Sequence, residues 1–452
     1  MQTIGKWLSV VAAILSLGAF ADFKFEMKMS KENGIYGKGE PISCTVLVKE
    51  NGKPSVGAKI HYAIRDSLKK NVKSGTFETD GKEKTFELPS SEVAAWRNIV
   101  FTVLGEDGKP VKGKGEKPLS EGIGALVAPE EFKQSYPEPK DFDAFWEAAR
   151  QEMRAIPMEA VLTEVEVDPK FAKLVSVWDV QIPCTGGINV SGYLACPKNA
   201  SPKSLPALAS FHGAGVRSSN KGAVLQWAQR GFIAMDVNAH GIVNGKPDDF
   251  YTTLSKEYYQ KPQADGTTRY AMWGIRSPQT WYFRGMYQRV MRTLDYLCSR
   301  PEWNGKDLVV NGGSQGGGQS IAAAGLDSRV TLLVAGVPAL SDMTGIVGNP
   351  PRTNGWPVHY PDKVIDPKDP VILNTVSYFD NVNFAKRIKC DAYLSTGLND
   401  TVCAPCSVHT VFNHLASPKK DLLIYPTGKH GTSPNAKGRE AIIAIGAATA
   451  IK

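Results

Sequence analysis

Residues 307–325, DLVVNGGSQGGGQSIAAAG, set Ser314 and Gln315 between two runs of glycine, with a β-branched apolar run before them and an alanine-rich run after. Such a segment fits a strand, a turn too tight for side chains, and a helix. Gly312-Gly313-Ser314-Gln315-Gly316 matches G-x-S-x-G in the strand-turn-helix setting that this pattern requires. The turn forces the serine into a strained backbone conformation, and side chains at Gly312 and Gly316 would collide with the neighbouring strand and helix. The hydroxyl then stands clear of the sheet, where the helix N-terminus favours developing negative charge. A phosphate cradle is the competing reading, but no Gly-Lys-Ser/Thr follows and no ribose-binding acid lies at the expected distance.

A serine is a poor nucleophile without a base, so the reading predicts an acid and then a histidine further along. STGLND puts Asp400 just past one apolar strand, and IYPTGKHG puts His430 just past the next. His409 and His414 fall within an amphipathic helix and His359 in a proline-rich loop, while Asp391 precedes its strand and so lies at the wrong end of a sheet. An oxyanion hole completes the set, with one backbone amide from Gln315 and a second from SFHGAG, at Ala214. His212 has no partner at metal-ligand spacing.

The surrounding pattern supplies the sheet. LPALASFHG, GFIAMDVNAH, DLVVNGGSQ, VTLLVAGVP, DAYLSTGLND and DLLIYPTG are apolar runs without alternation, separated by helical segments. They predict a mostly parallel, doubly wound α/β sheet covered on both faces. In the helix from Tyr282, Tyr287, Val290, Met291, Leu294 and Leu297 form one apolar stripe, with Arg289 and Arg292 off it. FDAFWEAARQEM repeats at helical spacing behind Asp141, a candidate N-cap. Residues 22–126 read differently: short alternating segments at roughly ten-residue spacing, broken by Gly, Pro, Asn and Asp, predict a β-sandwich of immunoglobulin-like type. Tyr36, Tyr62 and Trp96 in that region read as core more readily than as sugar-stacking surface, and His61 as a structural residue of an alternating strand.

Lys6 precedes the run WLSVVAAILSLGAF, and Ala19-Phe20-Ala21 offers a small-x-small cleavage site, so residues 1–21 read as a secretory signal peptide. The run is too short for a membrane span. The expected organisation is therefore a leader at 1–21, a β-sandwich at 22–126 and a catalytic α/β domain at 127–452, in a secreted or periplasmic protein. The formal net charge of +8 is a mild surplus with no basic run interleaved with aromatics, which excludes a nucleic-acid partner as the expectation. Seven cysteines leave at least one unpaired; Cys184 and Cys196 flank a strand pair and are candidates for a bridge. Cys403 and Cys406 stand two residues apart without a second pair, which is weak evidence for metal.

From about residue 137 onward the sequence resembles the α/β-hydrolases of carbohydrate esterase family 7, the acetyl xylan esterase and cephalosporin C deacetylase group. The resemblance rests on PKDFDAFW, SFHGAG, WYFRGMYQRVMRTLDYL, VVNGGSQGGGQSIAAAGLD, TVSYFDNVNFAKRIKCDAYLSTGLNDTVCAP and the late KHG. It implies Ser314 as nucleophile, Asp400 as acid, His430 as base, and the amides of Ala214 and Gln315 as oxyanion donors. Family members usually carry a tyrosine where this chain has Ala214, Arg-Gly-Gln where it has His240-Gly241-Ile242, and a glutamate where it has Gly431. The Ala214 amide survives that change, whereas substrate choice is open, with His240, Trp281 and Tyr378 as candidate pocket residues. Typical members are single-domain and resemble compact ring-shaped hexamers, an assembly that does not carry over to a chain with an added β module.

The expected activity is removal of acetyl or similarly small acyl groups from plant-polysaccharide or xylo-oligosaccharide hydroxyls by a serine esterase without metal or organic cofactor. Two alternatives stand beside it. One is an esterase for a bulkier acyl such as feruloyl, or a peptidase, using the Pro-, Trp- and Tyr-rich loop at 342–380. The other is a carbohydrate-binding protein on an inactive hydrolase fold.

Overall fold

A computed structural model describes residues 22–359 and 361–449. The expected leader at 1–21 lies outside the described residues. The N-terminal region holds β1 (Phe23–Met29), β2 (Ile35–Tyr36), β3 (Ile42–Glu50), β4 (Lys53–Pro54), β5 (Val56–Arg65), β6 (Asn71–Asp80), β7 (Lys84–Leu88), β8 (Ala95–Leu104) and β9 (Ser120–Val127). Strands β1, β3, β4 and β7 make one sheet, with β3 pairing the other three; the second sheet runs β2-β9-β8-β5-β6. Alternation along β3 buries Ile42, Cys44, Val46 and Val48, which meet Ile60, Ile99, Phe101 and Val103 of the second sheet in a shared core. Period-two patterning therefore produces two sheets that each hide one face.

The remaining chain builds a nine-stranded sheet. Its elements are α1 (Phe142–Arg154), β10 (Val161–Glu164), α2 (Pro169–Ala172), β11 (Val175–Ile182), β12 (Val190–Pro197), β13 (Leu205–Phe211), α3 (Lys221–Ala228), β14 (Ile233–Val237) and α4 (Asp248–Leu254). They continue with α5 (Tyr282–Ser299), β15 (Trp303–Gly313), α6 (Gln315–Leu326), β16 (Leu332–Gly336), α7 (Pro370–Ser377), α8 (Asn381–Ala385), β17 (Asp391–Gly397), α9 (Pro405–His414), β18 (Lys420–Tyr425) and α10 (Ala436–Thr449). The sheet order is β10-β11-β12-β14-β13-β15-β16-β17-β18, antiparallel as far as the β12–β14 pair and parallel from β14 to β18. One face packs on α1, α5, α6, α8 and α9, the other on α3 and α10. Every parallel strand therefore delivers its C-terminal end to the same edge, where ligands of such sheets bind. Among the described residues no helix is long and apolar enough to cross a membrane.

Two local expectations are corrected, and α5 adds a feature that its stripe does not show. Arg289 and Arg292, off the apolar stripe of α5, are nonetheless buried, because their guanidinium groups donate to the carbonyls of Ala239 at 3.0 Å and of Ile156 at 2.8 Å. A backbone acceptor at the end of a long stem makes that burial tolerable. Asp141 sits at the N-cap position of α1 without capping it, since its Oδ1 accepts from the Tyr378 hydroxyl at 2.6 Å. All seven cysteines are free, so Cys184 and Cys196 are two buried thiols on neighbouring segments and not a bridge.

The β region does not hang from a linker. The Trp96 indole, fully buried, donates to the Leu398 carbonyl at 2.8 Å, the Asn98 amide to Asn399 Oδ1 at 2.9 Å, and the Gly124 N–H to the Pro426 carbonyl at 2.9 Å. Ala94, Trp96 and Leu126 share an apolar cluster with Leu398, Ala404 and Cys406. Gly122 and Gly124 of β9 permit the approach: a Cβ at Gly124 would stand 2.0 Å from the Leu398 carbonyl oxygen, and one at Gly122 2.8 Å from the Asn399 amide. Tyr36 and Trp96 are thus core, as the sequence suggests, but Trp96 belongs to the joint between the regions.

Candidate active site

Strand β15 stops at Gly313 and α6 starts at Gln315, which leaves Ser314 alone at the turn with φ +57° and ψ −124°. That conformation is held from both sides: the Ser314 N–H donates to the Gly336 carbonyl at 2.9 Å, and its own carbonyl accepts from Gly318 and Ala339 at 3.0 and 2.9 Å. A side chain at Gly316 would meet the Phe211 carbonyl oxygen at 2.0 Å, and one at Gly312 the Gly316 backbone at 2.5 Å. The glycines let β13, β15 and α6 close around the serine, and the strain at Ser314 is supported by that packing.

The next two strand ends bring Asp400 and His430 to the serine. Asp400 follows β17 and is completely buried; its Oδ1 accepts the Val402 and Cys403 backbone N–H groups at 2.8 and 2.9 Å, which leaves Oδ2 for the imidazole. His430 follows β18, with Nδ1 3.0 Å from Asp400 Oδ2 and Nε2 2.9 Å from Ser314 Oγ. Nδ1–H to the carboxylate fixes the tautomer that presents a bare Nε2 to the serine hydroxyl. Asp400, Cys403 and His430 also lie within metal-ligating reach of one another, all three ligand atoms within 4.8 Å. Burial pushes the Cys403 thiol well above its ordinary pKa, so it stays protonated, while the imidazole is engaged between Asp400 and Ser314. The arrangement therefore suits proton transfer better than ligation.

Among the described residues, neither the Ala214 nor the Gln315 amide donates to another protein group. The second belongs to the first residue of α6, where unsatisfied N–H groups concentrate. The buried Gln315 side chain accepts from the Tyr270 hydroxyl at 2.6 Å. Tyr270 in turn packs on His240, ring centroids 4.6 Å apart, and His240 Nδ1 lies 2.7 Å from the Tyr282 hydroxyl. Burial drives the His240 imidazole down to about 3, with Arg289 adding to the effect, so it is a neutral ring inside an aromatic cluster. Two cavities meet at His430. One of about 490 Å³ reaches Ser314 between α3 and α10 past Phe211, Trp227, Val334, Val337 and Ile442. The other, about 470 Å³, lies against the β region.

Residues 125–443 match the family model described as acetyl xylan esterase (AXE1). This chain belongs to the acetyl xylan esterase family. It is similar to acetyl esterase Axe7A of Xylanibacter ruminicola, 34% identical over 414 residues that cover 91% of this chain and 88% of the relative, a length that takes in most of the β region. It is also similar to the solved acetyl xylan esterase of Paenibacillus sp. R4, at 30% identity and a TM-score of 0.56, covering 71% of this chain and 98% of that one. For acetyl xylan esterase 1 of Thermoanaerobacterium sp. JW/SL YS485 the identity is 26% and the TM-score 0.58, with 70% and 97% covered. The enzyme is a carboxylic ester hydrolase with an α/β-hydrolase sheet.

Within this esterase, two of the candidate pocket residues are elsewhere. Trp281 is buried in the core, its indole donating to the Ala271 carbonyl at 2.9 Å and its ring packed on Phe379. Tyr378 lies against Phe145 of α1, with its hydroxyl on Asp141. An aromatic residue in a loop reads alike whether it faces a pocket or a core, which is why both were misplaced. His240 does neighbour the site, as support behind Tyr270. His212 is paired with Asp236. Tyr270 itself left no signal in the sequence, whereas His359, set aside as a base for its proline-rich loop, has an imidazole that burial pushes down to about 3, with Lys69, Arg269 and His430 adding to the depression.

Proposed function

We propose that this chain is a serine esterase that deacetylates the acetylated hydroxyls of xylan-type polysaccharides or oligosaccharides. The observation that carries the reading is the continuous line Ser314 Oγ, His430 Nε2, His430 Nδ1, Asp400 Oδ2, with contacts of 2.9 and 3.0 Å. Ser314 Oγ adds to the ester carbonyl as His430 Nε2 takes its proton, and the amides of Ala214 and Gln315 hold the oxyanion. Collapse breaks the bond to the sugar oxygen, which receives the proton from His430 and leaves. Water then loses a proton to His430 and attacks acetyl-Ser314, acetate departs, and the serine regains its proton. Asp400 keeps the imidazole in the required tautomer and stabilises it when charged. Substitution Ser314→Ala is expected to abolish acetate release from acetylated xylan, and full activity in that variant refutes the assignment.

The same reading extends to organisation. The lysine and apolar run of residues 1–21 support export to the periplasm or outside, with 22–126 as an immunoglobulin-like sandwich and 127–452 as the catalytic domain. The pairing of two short sheets over one core favours the sandwich, and mass measurement of the purified exported protein tests the leader.

A further inference from the structure

We propose that the cleft between the β region and the loops of Asp400 and His430 is a subsite for the sugar chain that carries the ester. The inference rests on the deacetylase reading above and adds a place and a set of residues to it.

The cleft holds about 470 Å³, within the range of about 300–1,000 Å³ usual for ligand sites. Arg65, Val100 and Glu121 line it from the β region; Asn399, Lys429 and the His430 ring line it from the α/β region. Direction follows from the chemistry. His430 must hand its proton to the departing sugar oxygen, so that oxygen lies beside the imidazole, and the chain attached to it needs room there. Of the two cavities that meet at His430, the one between α3 and α10 exposes more apolar than polar surface, whereas this one exposes the two equally and carries guanidinium, carboxylate, amide and ammonium groups on its walls. Polyhydroxylated chains are recognised by such groups.

Arg65 and the Lys429–Glu121 pair keep hydrogen-bonding capacity for a ligand, with Lys429 also donating to the Ser120 carbonyl at 2.9 Å. Among the described residues Arg65 gives one hydrogen bond, Nε to Asn71 Oδ1 at 3.3 Å, which leaves its terminal nitrogens for a ligand. Lys429 and Glu121 pair across the joint at 2.8 Å while close to half exposed, and so exposed a pair contributes little stability of its own. Asn399 is fixed by Asn98 at 2.9 Å, so one wall of the cleft has its orientation set by β8. The β region thus forms part of the substrate site.

Two measurements test this on the full chain. The first compares kcat/KM on an acetylated xylo-oligosaccharide with kcat/KM on 4-nitrophenyl acetate and follows their ratio in Arg65→Ala and in Glu121→Gln. The ratio is expected to fall about ten-fold in Arg65→Ala, and by less in Glu121→Gln, with Lys84→Ala on the distant sheet as a control that leaves it unchanged. The second titrates unacetylated xylohexaose into Ser314→Ala by calorimetry, where Arg65→Ala in the same background is expected to remove the binding heat. An unchanged ratio, including one in which both esters slow equally, overturns the subsite, as does undiminished xylohexaose binding. If Arg65→Ala does not fold, Glu121→Gln decides by the same readouts. A wild-type protein that hydrolyses neither ester refutes the deacetylase reading instead, and the titration still decides whether the cleft binds the sugar chain.

Discussion

The turn that carries Ser314 and the loop that carries Asp400 sit at comparable strand ends, yet they are held by different means. Ser314 is fixed from within the α/β region, by glycines that let β13, β15, β16 and α6 close on it. The segment 398–401 is held from both sides: its N–H groups bond to Tyr425, Gly428 and Gly397 within the α/β region, and donors from outside reach its acceptors. Leu398 accepts from Trp96, Asn399 from Asn98, and the Thr401 carbonyl from the Lys69 ammonium at 2.8 Å, all three donors coming from the β region. The turn of Ser314 is thus self-supporting, whereas the loop of Asp400 also leans on a neighbouring region.

Tightening each support in turn sharpens the contrast. The largest effect is expected from Gly316→Ala, whose Cβ would stand 2.0 Å from the Phe211 carbonyl oxygen and drive β13, with the Ala214 amide beyond it, away from Ser314. Losing one oxyanion donor costs about 10²–10³ in kcat, and a loss of that size is expected with any acetyl ester. Gly124→Ala, equally close to the Leu398 carbonyl oxygen, is expected to cost about 1–3 kcal/mol of stability and roughly ten-fold in kcat by shifting Asp400 relative to His430. Thermal melting and steady-state kinetics on 4-nitrophenyl acetate read both. Unchanged kcat in Gly124→Ala breaks the comparison, because the acid loop then stands on its own strand.

The smallest effect concerns Lys69, whose ammonium burial pushes down to about 8. Its pKa is lower in the folded chain than in the unfolded one. Between pH 8 and about 10.4 the unfolded state therefore binds more protons, and the contribution of Lys69 to stability rises with pH. The Tm of the wild type relative to Lys69→Met is expected to increase by a few degrees from pH 8 to pH 10. A flat difference places the amine in water rather than in the joint.

The placement of Ser314, Asp400 and His430 was legible in the sequence: a strained turn demands the glycines at 312 and 316, and a parallel sheet puts Asp400 and His430 at the ends of recognisable apolar runs. The joint was not. Gly122 and Gly124 look like weak positions in a strand until Leu398 and Asn399 are seen against them, and Trp96 reads as core in either setting. Arg289 and Arg292 fall off the apolar stripe yet are buried, because periodicity does not register a backbone carbonyl waiting at the end of a long side chain. Trp281 and Tyr378 failed for the complementary reason, since a loop aromatic carries no mark of the side it faces.

The contact between Gly124 and Leu398 also sets terms for inheritance. Two surfaces that meet at backbone distance have to change together, so a β region taken from one relative fits another only if the segment 398–401 travels with it. The β region and the loop after β17 are expected to change as one unit, although 274 positions separate Gly124 from Leu398 in the chain.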